Sequence, residues 1–451
     1  MKRRYLPSPS EEVLEDFPAI LKSMDKGGDT DLVAAATGLR KMLANARNPP
    51  IQQAVDYGLV PALLVWMQRT DLPKLQYQAC WAVINIASGS HDHVTALVSK
   101  GIIPVAYTML TSDREKVREH AVWLIGNLAG DSAQVRDALL QSDCLPRLLA
   151  CIHQSPAETL KDIYPWAVSN LCRGKPKAEF QFVQCAVPYL CAVVKTNESL
   201  GTLQEVLWAL SHICVDRNER IQVLLEEGIL PTIADCLNSS EEKVQFPALR
   251  IVGNIAAGRE DQTAAVLHLV PCLRSLLYSP SRAIQKEAAW TFSNIASGPP
   301  VHLNSLLSSD IFSALIDLLP KSSEAVQKEI LWSLSNASLA RSDEIASHLS
   351  HIGVFASLTH ILEQGSPSLI YAALDVLKAL LEIGQRQKSG KGGNEFCGRF
   401  EECGGLDVLE SLQYQGNQQI YEKALKLLNG YFEEETEFDS VLQGLVGGVG
   451  M

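Results

Sequence analysis

The chain has 451 residues, 47% apolar and 6% aromatic, and its 39 Lys and Arg against 51 Asp and Glu give a formal net charge of −12. That length exceeds one ordinary compact core and suits several domains or a repeat array, and the apolar fraction excludes a disordered chain. The acid excess disfavours nucleic acid and anionic membrane as partners and favours basic ones.

The chain opens on Met1-Lys2-Arg3-Arg4-Tyr5 with no apolar run behind it, which is not a secretory signal. Residues 1–10 form a short basic segment. No run of about 18 or more apolar residues marks a membrane span. Eleven cysteines are scattered from Cys80 to Cys403 without a CxxC pair. They read as small core residues in a reducing compartment, cytosol or nucleus or both.

From residue 11 to residue 435 one block recurs. Its landmark is a small-apolar-proline phrase: Gly58-Leu-Val-Pro61, Gly101-Ile-Ile-Pro104, Cys144-Leu-Pro146, Ala186-Val-Pro188, Gly228-Ile-Leu-Pro231 and Leu269-Val-Pro271, with prolines 43, 42, 42, 43 and 40 residues apart. Weaker copies begin at Asp310 and Gly353. Each phrase leads into apolar residues at helical spacing, such as Leu145, Leu148, Leu149 and Ile152, then a polar turn and a second helical stretch. A period of roughly 40–47 residues with two or three helices is the armadillo/HEAT range. No unit buries its apolar face alone, so the expected fold is all-α: a right-handed superhelical armadillo-repeat solenoid of about ten repeats with a concave groove. Residues 384–399, rich in Gly, Lys and Ser, read as an insertion loop, and 436–451 as a tail.

Six of the seven tryptophans fall on the repeat: Trp81, Trp123, Trp166, Trp208, Trp290 and Trp332. Four residues after each stands Asn85, Asn127, Asn170, His212, Asn294 or Asn336, and the skipped unit holds Arg250 and Asn254 in the same slots. Residues i and i+4 share one helix face, so stacked units align the pairs into a ladder. The competing reading is a set of core tryptophans with incidental asparagines. Asparagine is a poor mid-helix residue, and its repetition points to an exposed, used position. Its amide can pair with both the N–H and the C=O of an extended peptide. Parallel indoles make slots for Lys and Arg stems, and nearby carboxylates take the charged heads. Three contiguous full rungs, Trp81–Asn85, Trp123–Asn127 and Trp166–Asn170, make a longer site that reaches Trp208. Arg250, Asn254, Trp290–Asn294 and Trp332–Asn336 make a shorter one. The ligand specified is an extended, Lys/Arg-rich peptide, and two sites suit two basic clusters.

These residues closely resemble importin-α (karyopherin-α). The matching phrases are Ala79-Cys-Trp-Ala-Val-Ile-Asn-Ile-Ala-Ser-Gly89, His120-Ala-Val-Trp-Leu-Ile-Gly-Asn-Leu-Ala-Gly-Asp131, Trp166-Ala-Val-Ser-Asn-Leu-Cys-Arg173, Pro247-Ala-Leu-Arg-Ile-Val-Gly-Asn254, Gln285-Lys-Glu-Ala-Ala-Trp-Thr-Phe-Ser-Asn294 and Glu402-Cys-Gly-Gly-Leu-Asp407. The resemblance implies a nuclear import receptor for nuclear localisation signals, shuttling between cytoplasm and nucleus. It makes Asp131 the carboxylate that fixes the key lysine of the longer site, helped by the Gly89 backbone, with Ser88 and Glu205 as further contacts. Glu260, Glu287 and Glu329 flank the shorter site. Three positions depart from the family: Val94 for a usual Thr beside the key lysine, His120 for Gln and His212 for Tyr. The family begins with a long basic segment that binds importin-β and otherwise folds back into the groove. Only Lys2-Arg3-Arg4 could stand for its end here, so the chain is expected to recruit importin-β poorly and to bind cargo without a tethered competitor. The last unit and Glu433-Glu434-Glu435 resemble the region used with the nuclear export factor.

An armadillo scaffold of signalling or adhesion, binding other extended peptides, is the alternative. A groove for acidic segments would be lined with Lys and Arg, whereas the rungs here carry Asp131, Glu205, Glu287 and Glu329. No hydrolase, zincin or P-loop motif is present. His91 and His93 alone are a weak metal signal, so no enzyme activity, metal or cofactor is expected.

Overall fold

The computed structural model describes residues 4, 16–44, 48–154, 162–196, 199–387, 393–414 and 416–432. Glu433-Glu434-Glu435, the tail and all of the basic segment but Arg4 lie outside them. Among the described residues every regular element is a helix. The chain divides into two units, Met1–Ile251 and Val252–Met451, and the division falls inside the Glu242–Ala256 helix.

One repeat of the first unit shows how the sequence builds the rest. Ser90 caps the His91–Ser99 helix by accepting from the His93 N–H. Gly101, at φ 86°, turns the chain into the Ile102–Met109 helix, a backbone setting that a side chain would strain. A third, longer helix, Glu115–Ala129, follows. Val117, Ala121, Val122, Leu124, Ile125 and Leu128 on it are all buried, a girdle wider than one amphipathic stripe because third helices of neighbouring repeats flank it on both sides. The landmark prolines Pro61, Pro188, Pro231 and Pro271 stand in the first turn of short second helices, where the missing N–H costs nothing.

The first unit stacks the third helices Asp29–Leu43, Pro73–Ala87, Glu115–Ala129, Ile163–Cys172 and Leu200–Ile213 in succession. The second stacks Arg282–Ala296, Glu324–Leu339, Pro367–Gln387 and Gln418–Tyr431. The expected insertion loop at 384–399 is shorter than its composition suggests. The helix runs on to Gln387 because Leu380, Leu381 and Ile383 keep its buried face going, and the next helix starts at Glu395.

Candidate functional site

The ladder asparagines have a structural task that sequence reasoning missed. Asn127 Nδ2 donates to the Ile84 carbonyl at 3.2 Å, and Asn170 Nδ2 to the Gly126 carbonyl at 2.9 Å. In the second unit Asn294 donates to Gly253 O at 3.0 Å and Asn336 to Ser293 O at 2.9 Å. Each bond ties one third helix to the helix one repeat earlier. Asn85, Asn127, Asn170 and Asn254 are buried, so the inference that a mid-helix asparagine must be exposed to be useful is corrected: the amide N–H holds the stack together. The amide oxygen and the second amide hydrogen are the half left over for a ligand.

At one rung that half is in use. Arg4 lies against the Glu115–Ala129 helix. Asn127 Oδ1 accepts from the Arg4 N–H at 2.7 Å, while Asn127 Nδ2 and Trp123 Nε1 donate to the Arg4 carbonyl at 2.9 and 3.1 Å. The Arg4 guanidinium sits 4.8 Å from the centre of the Trp166 ring. Burial pushes the pKa of this guanidinium down, against the attraction of Glu205 and Asp162. One residue thus meets the two-point backbone clamp and the indole platform together. The expectation of a groove without a tethered competitor is not met, because a residue of the chain's own basic segment is in it.

The indoles are not the parallel set expected. Trp123 and Trp166 have ring centres 6.3 Å apart and planes tilted by 59°. Trp166 is fully buried, whereas Trp332 is 52% exposed. The cause lies one residue before the asparagine: a Cβ on Gly126 would overlap the Trp166 ring, and one on Gly253 would overlap Trp290. Glycine there lets the next indole lie flat on the helix, and the signal was visible as Gly-Asn at 126–127 and 253–254. Trp81 has a partner of its own, since the buried Arg40 guanidinium stands 4.8 Å from its ring centre. No motif announced Arg40, which lies a repeat away.

The acids of the longer site are already engaged. Asp131 Oδ2 is 2.7 Å from His91 Nδ1, and its side chain is 1% exposed. Glu205 is buried and pairs with Arg173 at 2.8 Å. The same Arg173 donates to Asn170 Oδ1 at 2.7 Å, so the third clamp is held by the protein's own guanidinium. Ser88 Oγ donates to the Asn85 carbonyl and closes its helix, with Gly89 directly after it. Val94 is fully buried and packs in the core. His91 and His93 face different partners, His93 Nε2 meeting Gln52 Oε1 at 3.0 Å. His120 is buried edge-on against Tyr77, with Nδ1 2.6 Å from the Lys116 carbonyl, and burial lowers its pKa.

Beyond Trp208 the first unit turns basic. His212 is pushed down to about 4 by burial, with Arg173, Lys177, Arg250 and Lys175 adding repulsion. Trp208 packs on Phe246 at 5.7 Å, and the Arg250 guanidinium stands 5.8 Å from that ring. In the second unit Glu287 is buried, Glu329 partly so and Glu260 exposed. Next to Trp332 a cavity of about 400 Å³ opens, lined among others by Lys328, Tyr371 and Asp375.

A ladder of this kind on stacked three-helix repeats defines an armadillo-repeat protein. The model for the armadillo/beta-catenin-like repeat matches residues 90–130, 217–257 and 259–297, and that for the atypical Arm repeat matches 394–444. An engineered protein of known crystal structure superposes with a TM-score of 0.79 at 24% identity, over 91% of this chain and 97% of its own. Importin subunit alpha-1b of Oryza sativa subsp. japonica is 34% identical over 95% of this chain and 81% of its own length. Importin subunit alpha-4 of Arabidopsis thaliana is 34% identical over 96% and 81%. The chain belongs to the importin-α family of nuclear import adaptors.

Proposed function

We propose that the chain is a nuclear import receptor that holds Lys/Arg-rich localisation signals in extended form, on the Trp81–Trp208 rungs and on the Arg250–Asn336 rungs, and that it moves between cytoplasm and nucleus with its cargo. The observation that carries this reading is Arg4, whose backbone is clamped by Asn127 and Trp123 while its guanidinium rests on Trp166. Nothing in the clamp reads the Arg4 side chain's identity beyond its stem and charge. A cargo residue of the same chemistry fits in its place, and specificity falls to the carboxylates nearby.

The test is fluorescence anisotropy of a labelled Lys-rich peptide and its Lys→Ala control, against the chain with Lys2, Arg3 and Arg4 replaced by alanine. The Lys-rich peptide is expected to bind and the control to bind far more weakly. Asn127→Ala removes two backbone bonds and should cost about 1–3 kcal/mol of binding. Equal binding of the two peptides would reject the reading.

A further inference from the structure

We propose that His91 is a specificity-determining residue of the longer site: it holds the Asp131 carboxylate in the resting chain and has to be displaced before a cargo ammonium can pair there. This rests on the groove reading above.

The bond is defined by its chemistry. An ionised carboxylate only accepts hydrogen bonds, so the 2.7 Å approach of His91 Nδ1 to Asp131 Oδ2 fixes the proton on Nδ1. That bond needs no charge on the ring. Asp131 follows the Glu115–Ala129 helix, and its side chain is 1% exposed. His91 is the first residue of the neighbouring His91–Ser99 helix and is 62% exposed. The acid is therefore fixed and covered, while the imidazole stands at a helix end with solvent to swing into.

The position is singular along the chain. Six residues after Asn85, Asn127, Asn170, His212, Asn254, Asn294 and Asn336 stand, in turn, His91, Ala133, Pro176, Asn218, Glu260, Pro300 and Ser342. A histidine occupies this slot only beside Asp131, and in the Asn254 repeat the same slot carries an acid.

The consequence is a brake on lysine. A peptide ammonium brings a full charge to a covered carboxylate, where attraction is strong, and so can replace the His91 ring. In doing so it forfeits the His91 bond. A peptide with alanine at that point leaves His91 in place and forfeits nothing. His91 thus weakens binding of the Lys peptide without touching that of the Ala peptide, and narrows the ratio between them.

The experiment is a two-by-two comparison in the Lys2→Ala/Arg3→Ala/Arg4→Ala background, which removes the chain's own basic residues as competitors. A Lys-rich peptide and its single Lys→Ala counterpart are titrated against that protein and against its His91→Ala variant. Removing His91 should tighten the Lys peptide roughly 2- to 12-fold, the weight of one hydrogen bond of ordinary net strength, and leave the Ala peptide unchanged. His91→Gln, which can still donate to Asp131, should fall between the two proteins. The proposal is overturned if both peptides tighten equally, if neither changes, or if the Lys peptide binds more weakly. Should the His91-containing protein fail to separate the Lys and Ala peptides at all, the groove reading falls first and this proposal with it.

Discussion

The two stretches of the ladder carry the same Trp-x-x-x-Asn pairs in different surroundings. In the first unit Asn127 and Asn170 tie their helices to the preceding repeat, and in the second Asn294 and Asn336 do the same. The amide bond to the stack is therefore common property and cannot distinguish the sites. What differs is everything around it. In the first unit Trp166 is buried beneath Arg4, Asp131 is held by His91 and Glu205 by Arg173. In the second Trp332 is 52% exposed and Glu260 is open to solvent. A repeat motif sets the spacing of a site, and the residues between the motifs decide how much of it is covered.

The largest expected effect follows from the buried indole. Trp166→Ala removes a fully buried ring and should destabilise the first unit by about 3–5 kcal/mol. Trp332→Ala removes an exposed one and should shift stability by no more than about 0.5 kcal/mol, its cost appearing in peptide binding instead. Urea denaturation of the two variants beside the unsubstituted chain measures this. Similar losses in both would mean that the two indoles do the same work.

The next effect probes the glycines beneath the rings. Gly126→Ala drives a methyl group into Trp166, which is packed on every side, and should cost about 1–3 kcal/mol. Gly253→Ala meets Trp290 in the same way, but that half-buried ring can give, so a smaller loss is expected. Gly201→Ala, where nothing lies within 4 Å, should stabilise by about 0.4–1 kcal/mol. If Gly126→Ala proves as mild as Gly253→Ala, the buried indole is less confined than its packing shows.

Much of this was legible in the sequence, and what was not has a common cause. The proline phrases and the tryptophan spacing are strictly periodic, and periodicity is what a stacked fold imposes on a chain. Arg40 on Trp81, Arg173 on Asn170 and His91 on Asp131 are single substitutions in an otherwise regular text, and only the stacking brings them to their partners. The asparagines misled for a related reason. Their cost inside a helix was plain from propensity, but the carbonyl that repays it lies a full repeat back in the chain. The 384–399 segment misled because Gly, Lys and Ser dominate its composition, while the apolar period that continues the helix to Gln387 is set by the residues before it.

A smaller effect separates the two tasks of the ladder amides. Asn336→Ala loses its bond to the Ser293 carbonyl and should cost about 1 kcal/mol of stability in the second unit. Asn127→Ala should cost a similar amount in the first and should also release Arg4. Protection of the basic segment from trypsin is the readout. Faster cleavage after Arg4 is expected in Asn127→Ala and not in Asn336→Ala, and equal cleavage in both would show that the clamp does not hold the segment.

The last effect is nil at neutral pH and opens only in acid. His212 stands where the other full rungs carry asparagine, and burial among Arg173, Lys177, Arg250 and Lys175 lowers its pKa to about 4, from an ordinary value of about 6.5. The unfolded chain therefore takes up this proton before the folded chain does, so the stabilisation is complete above about pH 6.5 and is lost as pH falls towards 4. His212→Asn removes the titrating group and supplies the amide that the neighbouring rungs use. Its stability at pH 7.5 should stay near that of the unsubstituted chain, while between pH 6.5 and 4.5 it should decline less steeply. Urea midpoints taken across that range decide the matter. Parallel curves for the two proteins would show that the acid sensitivity of the first unit comes from its carboxylates and that the basic surroundings of His212 leave no mark on stability.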